Sequence, residues 1–220
     1  MSSVKVEMWA DIVCSWCGIA NERVNEAVRR FSENGQVELQ HRSFRLLPDL
    51  PDGQGYDFAE YMSSQRGIDT AQIDQMAQRV EAIAHEDGIA EYHVADNSIG
   101  NTTLAHEFLA WATDQGRHQA AWDLLFRANF GEKADIWTVD ELAAFASRLG
   151  LDENGARAAL TDRRYRAQVE SDHQEAVSLG SRGVPFLVID RKYGISGAQP
   201  VDVIVDALAR AWNERERVTA

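Results

Sequence analysis

Both cysteines of the chain, Cys14 and Cys17, fall in one short stretch, ADIVCSWCGIA at residues 10–20. The residues around them narrow what the pair can belong to. Residues 4–9, VKVEMW, alternate apolar and polar side chains and carry β-branched residues, which suits a half-buried strand. Ala20, Val24, Ala27, Val28 and Phe31 then recur at three- and four-residue spacing, the stripe of an amphipathic helix, with Asn34-Gly35 as its stop signal. A second strand is expected over 37–44, VELQHRSF, with Val37 and Leu39 on one face. The cysteine pair therefore sits at the strand-to-helix turn of a βαβ unit.

The pattern changes after the loop LLPDLPDGQG at 46–55. From Asp57 to about Leu179 the sequence offers helices and no convincing strand. Asp57 with Glu60, and Thr138 with Glu141, have capping-box spacing. Ile73, Met76, Val80 and Ile83 form one apolar stripe, and Leu104, Phe108, Trp111 and Ala112 another. Trp122, Leu125 and Phe126, then Leu142, Phe145 and Leu149, continue the series. Such rows are core packing rather than a cofactor box. A helix over about 162–179, marked by Tyr165, Val169, Ala176 and Leu179, precedes a return of strand character in VPFLVID at 184–190 and YGISG at 193–197. Pro200 fits the first position of a last helix, whose buried stripe is Val201, Ile204, Val205, Leu208 and Trp212. The fold class is α/β: a first part over 1–50, an inserted helical domain over 51–160, and a second part over 161–220.

Two cysteines at i and i+3 at a helix start can close a small disulfide ring. The first lies where unpaired backbone N–H groups and the helix dipole favour negative charge, so its thiolate is stabilised and its pKa is expected to fall. The second, one turn along, is placed to attack a mixed disulfide formed on the first. This assigns Cys14 as the attacking thiolate and Cys17 as the resolving thiol. Zinc fits worse. A structural zinc site takes four ligands, the chain has no third cysteine, and its six histidines are scattered. No metal is expected. Two inert buried cysteines are the remaining alternative, and the βαβ context weighs against it.

Gly183-Val184-Pro185-Phe186 opens the returning strand, where a proline is tolerated because the ladder does not need its N–H. In the thioredoxin fold this position carries a cis proline beside the cysteine pair, and the element order favours the cis form here. Val184 and Pro185 would then offer backbone groups to an extended substrate segment. Trp16 reads either as an exposed substrate contact or as a ring shielding the first helical turn, with the contact favoured slightly. Asp11 is placed to cap or orient the turn, and it opposes thiolate formation where it stays close and ionised. Asn101 and His106 are candidates for lining the cleft from the helical domain, although a solvated or core histidine is the more common reading of a residue such as His106.

On DIVCSWC (11–17), FRLLPDLP (44–51), NTTLAHEFLAWA (101–112), LLFRANF (124–130) and SRGVPFLVIDRKYGISGAQP (181–200), the chain resembles the DsbA family of thioredoxin-fold oxidoreductases, most closely its FrnE-like cytosolic subgroup. The resemblance is collinear over nearly the whole chain. It implies a thioredoxin fold interrupted by an all-helical insertion domain, disulfide oxidoreductase activity through Cys14 and Cys17, and Pro185 as the cis proline. Members often have Pro as the first residue between the cysteines. Ser15 stands there in this chain, and that dipeptide tunes thiolate stability.

The expected function is thiol–disulfide exchange on protein or small-molecule thiols: reduction, formation or isomerisation of disulfides. No bound cofactor is expected. Glutathione is a candidate co-substrate, and glutathione or a thioredoxin-like protein a candidate electron donor. Two other functions stay open. Hydroxychromene-carboxylate isomerases and kappa-class transferases share the domain plan but typically place Ser where Cys14 stands, since glutathione supplies the thiol. A peptide-binding chaperone would leave the cysteines dispensable. The net charge of −13 repels phosphate backbones, so nucleic acid is not an expected partner. The apolar stretches are strand-length, so neither is a membrane. The first residues lack the basic and apolar regions of a secretory signal, and two cysteines make no disulfide framework, so the expected address is the cytoplasm. A homodimer is compatible with the resemblance, although no stretch of sequence marks an interface.

Overall fold

A computed structural model describes residues 3–31 and 36–219, with no side-chain description for Gln36 or for 216–219. The Asn34-Gly35 stop signal lies outside the described residues. Strand β1 (Ser3–Ala10) leads through a short turn into helix α1 (Ser15–Phe31), and β2 (Gln36–Ser43) returns parallel to β1, with Val4 opposite Val37 and Trp9 opposite Arg42. At the other end of the chain, β5 (Phe186–Ile189) runs antiparallel to β1, and β6 (Tyr193–Ser196) antiparallel to β5. The resulting sheet has the order β2-β1-β5-β6.

Helix α9 (Val201–Thr219) packs beside α1 on one face, where Phe31 meets Trp212 edge-on. Pro200 precedes it and its carbonyl accepts from Val203 and Ile204 N–H, as the first turn requires. Helix α8 (Arg166–Ser178) covers the opposite face, where the Trp9 indole donates to the Asp172 carbonyl at 2.8 Å. Because β1 is central and covered on both sides, Trp9 is as buried as Val4 and Val6; the strand expected to be half-buried is buried throughout from Val6 to Ala10, and only its start keeps the alternation, with Lys5 exposed. Glu7 tolerates that position because Arg42 and Arg191 pair with it.

Between the two parts of the sheet lie α2 (Phe58–Arg66), α3 (Thr70–Glu86), α4 (Thr103–Asp114), α5 (His118–Phe126), α6 (Val139–Arg148) and α7 (Glu153–Thr161), with a π-helical turn at Arg127–Gly131. The cap signals hold: Asp57 accepts from Glu60 N–H, and Thr138 with Glu141 forms a reciprocal capping box. Helix α4 is buried on every side from Thr103 to Ala112, the mark of a central helix. In α3 the buried row is Ile73, Ala77, Val80 and Ala84, and Met76 faces solvent; Leu179 is exposed as well.

The absence of strands expected between 57 and 179 is corrected by a short antiparallel ribbon, β3 (Gly55–Asp57) with β4 (Ser98–Gly100). Three residues per strand are too few to show an alternation in sequence. The ribbon rests on the Trp137 ring: a Cβ on Gly55 would lie 2.2 Å from the indole nitrogen, and one on Gly100 2.8 Å from Cζ3. One continuous apolar core runs from β1 and α1 into α4, α5, α6 and α7.

Candidate active site

Asp11, Ile12 and Val13 carry the chain from the end of β1 to Cys14, the residue immediately before α1. The turn is closed by Cys14 N–H donating to Asp11 O at 3.1 Å, and the helix begins as Cys17 N–H donates to Cys14 O at 2.8 Å. Cys14 thus occupies the N-terminal end of a seventeen-residue helix, where oriented N–H groups stabilise negative charge.

The two cysteines approach to 3.1 Å and are not disulfide-bonded. They are unequal: Cys14 keeps 8% of its surface exposed, Cys17 none. Burial pushes the Cys17 thiol well above its ordinary value, reinforced by the hydrogen bond and charge of Cys14 and by the charge of Asp11. The Cys14 Sγ donates to the Val184 carbonyl at 3.5 Å, and the Val184–Pro185 peptide bond is cis. Trp16, 38% exposed, projects from the first turn of α1, and Ser15 is half-buried beside it.

Beneath the turn lies a buried pair. Asp11 and His106 are both fully buried, with Asp11 Oδ1 3.3 Å from His106 Nε2. The second carboxylate oxygen accepts from Leu46 N–H at 2.7 Å, which anchors the start of the loop after β2. Asn101 is buried and its hydrogen bonds go to the chain itself. Its amide donates to the Pro48 and Leu50 carbonyls, and its oxygen accepts from Thr103 N–H and hydroxyl. The structure therefore brings Asp11, Cys14, Ser15, Trp16, Cys17, Val184 and Pro185 around one turn, sets His106 under it, and sets Asn101 under the adjoining loop.

Two contacts at this turn were not legible beforehand. The Tyr92 hydroxyl, from the segment after α3, donates to the Ser15 carbonyl between the cysteines. It reaches that carbonyl because Gly18 has no side chain; a Cβ there would lie 2.3 Å from the Tyr92 oxygen. The Tyr92 ring stacks on Phe130 of the π-helical turn, centroids 4.6 Å apart, and neighbouring Asn129 donates to Ile12 O at 3.2 Å. The available signal was Gly18 itself, a glycine in the first turns of a helix, where a close approach is the usual reason for one. Among the described residues, no three His, Cys, Asp or Glu side chains gather to hold a metal ion.

A four-stranded sheet flanked by helices, a C-x-x-C pair at the N-terminus of its first helix and a cis proline near the first cysteine together define a thioredoxin-fold protein. The chain belongs to the DsbA-like family: the DSBA-like thioredoxin domain matches residues 5–209. It is similar to the probable DsbA oxidoreductase SCO1869 from Streptomyces coelicolor, at 36% identity and a TM-score of 0.90, covering 96% of this chain and 91% of that one. It is also 25% identical to the uncharacterized protein YwbO of Bacillus subtilis (strain 168), over 94% of this chain and 96% of that protein. The fold is shared with the cytosolic disulfide reductase DsbM from Pseudomonas aeruginosa, at 16% identity and a TM-score of 0.62, covering 98% of this chain and 100% of that one. Among the described residues no helix is long and apolar enough to cross a membrane.

Proposed function

We propose that the chain is a thiol–disulfide oxidoreductase in which Cys14 attacks and Cys17 resolves. The observation that carries this reading is the unequal pair: two unbonded cysteines 3.1 Å apart, one, at a helix N-terminus, that keeps 8% of its surface accessible and one with none. The Cys14 thiolate attacks a substrate disulfide, forming a mixed disulfide and releasing one substrate thiolate, which takes up a proton. Cys17 then gives up its proton and attacks the Cys14 sulfur. The Cys14–Cys17 disulfide forms and the second substrate thiol leaves. The substrate gains two electrons from the enzyme and two protons, one given up by Cys17 and one from solvent, where Cys14 left its own on ionising; thiols of a donor reverse the steps.

Trp16 beside Cys14 supplies an apolar contact for a polypeptide substrate, and the backbone around Val184 and Pro185 supplies hydrogen-bonding groups for an extended segment. The working direction is reduction or isomerisation in the cytoplasm, with glutathione or a thioredoxin-like protein as donor. The description of DsbM as a cytosolic disulfide reductase supports that direction through a shared fold. A glutathione-dependent isomerase reading rests on fold alone, through likeness to a 2-hydroxychromene-2-carboxylate isomerase at 14% identity and a TM-score of 0.71. The presence of both cysteines, with Cys14 where those proteins typically place Ser, weighs against it.

The test compares Cys14→Ser and Cys17→Ala with the unaltered chain in insulin reduction, glutathione-conjugate formation and suppression of aggregation. The expected result is loss of insulin reduction in Cys14→Ser, and mixed disulfides trapped on Cys14 in Cys17→Ala. Undiminished insulin reduction by Cys14→Ser, with no trapped adduct on Cys17→Ala, would overturn the assignment.

A further inference from the structure

We propose that Tyr92 sets the reduction potential of the cysteine pair through the peptide unit between the two cysteines, a role that rests on the oxidoreductase reading above and deepens it. The Tyr92 hydroxyl donates to the Ser15 carbonyl. That carbonyl belongs to the same planar peptide unit as the Trp16 N–H. Cys14 stands at the cap of α1, and the N–H groups of the second and third helical residues are those that a capping side chain meets; Trp16 is the second. A donor on the carbonyl end of a peptide polarises the unit and strengthens its N–H as a donor. Tyr92 therefore strengthens the positive end of the helix at which the Cys14 sulfur takes on negative charge when it reacts.

Three features of the structure fit a dedicated device rather than ordinary packing. Gly18 leaves the gap through which the hydroxyl enters, since any Cβ there would collide with it. Phe130 stacks on the ring and fixes its direction. Burial, reinforced by the charges of Cys14 and Cys17, holds the phenol well above its ordinary pKa of 10.0, so it stays a hydrogen-bond donor whichever way the pair is poised. The charge to be stabilised arises only in the reduced form, when Cys14 ionises, because the disulfide carries none. Tyr92 thus favours the reduced enzyme and makes the couple more oxidising.

Tyr92→Phe keeps the ring and its stacking and removes the donor; Gly18→Ala keeps the hydroxyl and drives it off the carbonyl. Both are expected to shift the dithiol–disulfide equilibrium toward the disulfide. A cooperative gain of about 10–30% on a charge-assisted bond corresponds to a shift of about threefold. At about 30 mV per tenfold, threefold is about 14 mV more reducing. Tyr165→Phe, which loses a hydroxyl bonded to Asp114 on the surface, serves as the control and stays at the parent value.

The experiment equilibrates each full-length protein in glutathione buffers of graded ratio, with alkylation and mass spectrometry to count oxidised and reduced forms. Support is a shift toward the disulfide in Tyr92→Phe, with Gly18→Ala moving the same way where it folds. A Tyr92→Phe midpoint that coincides with the parent, or moves the other way, overturns the proposal while leaving the oxidoreductase reading standing. A parent chain that forms no Cys14–Cys17 disulfide at any ratio overturns that reading, and this proposal with it.

Discussion

At the scale of single residues, the turn that carries the two cysteines depends on groups that are buried and held by few partners. Asp11 is the clearest case: fully buried, it accepts from Leu46 N–H and contacts His106 Nε2, so its removal leaves both without that partner. Asp11→Ala is expected to cost about 2–4 kcal/mol of stability, read as a fall in the urea midpoint at neutral pH. Asp11→Asn, whose amide oxygen still accepts from Leu46, is expected to lose about half as much. Equal midpoints for Asp11→Ala and the parent would show that the carboxylate is not holding the turn. Cys14, Cys17 and Pro185 were legible because spacing, flanking periodicity and strand position mark them locally. Tyr92 was not: nothing in GIAEYHV sets its tyrosine apart from one that merely packs.

At the scale of elements, helix caps were readable and helix surroundings were not. Thr138 and Glu141 act on N–H groups within a few residues, so the capping box follows from spacing alone. Thr138→Ala is expected to destabilise the protein by about 1 kcal/mol, measured as a lowered melting midpoint. The β3–β4 ribbon depends instead on Trp137, which is remote in sequence and fills the space that side chains at Gly55 and Gly100 would need. Gly55→Ala drives a methyl into the indole and is expected to cost about 1–3 kcal/mol, checked by urea unfolding. Helix α4 makes the same point in reverse. Its apolar stripe was visible, but burial of His106 and Glu107 on the other side follows from α5, α7 and α8 closing around it.

At the scale of the whole molecule, one buried junction ties the sheet to the helical insertion. His41 of β2 stacks on Trp122 of α5 with centroids 4.9 Å apart, its Nε2 lies 2.9 Å from Asn21 Oδ1 of α1, and its backbone N–H donates to His118 Nε2 at 2.9 Å. Burial, with the charge of His118 adding to it, pushes His41 down from 6.5 to about 3. The unfolded chain therefore binds this proton more readily than the folded one. Its contribution to stability is complete above pH 6.5 and is lost as the pH falls from 6.5 toward about 3, with a slope of about 1.4 kcal/mol per pH unit. His118, lowered by burial and by Arg42, acts in the same direction. Cys17, held well above 9.0, gives the opposite limb: the unfolded thiol ionises first, so stability falls as the pH rises past 9.0. Urea unfolding from pH 4 to 10 is expected to trace a plateau between these limbs. His41→Gln, which retains a donor toward Asn21, is expected to flatten the acid limb in part; an unaltered limb would mean that His41 is not the group that titrates.

The sequence by itself determined the βαβ start, the C-x-x-C turn, the helical insertion and the proline at the head of the returning strand, because period, caps and turn residues act over a few positions. Tertiary structure alone decided which distant groups meet at the turn. Val184 reaches Cys14 across 170 residues, His106 reaches Asp11 across 95, and Tyr92 reaches Ser15 across 77. No local pattern encodes such pairings. They exist because a shared core closes the sheet, α4 and the segment after α3 around the start of α1, and burial then leaves each polar group only the partners that the packing brings to it.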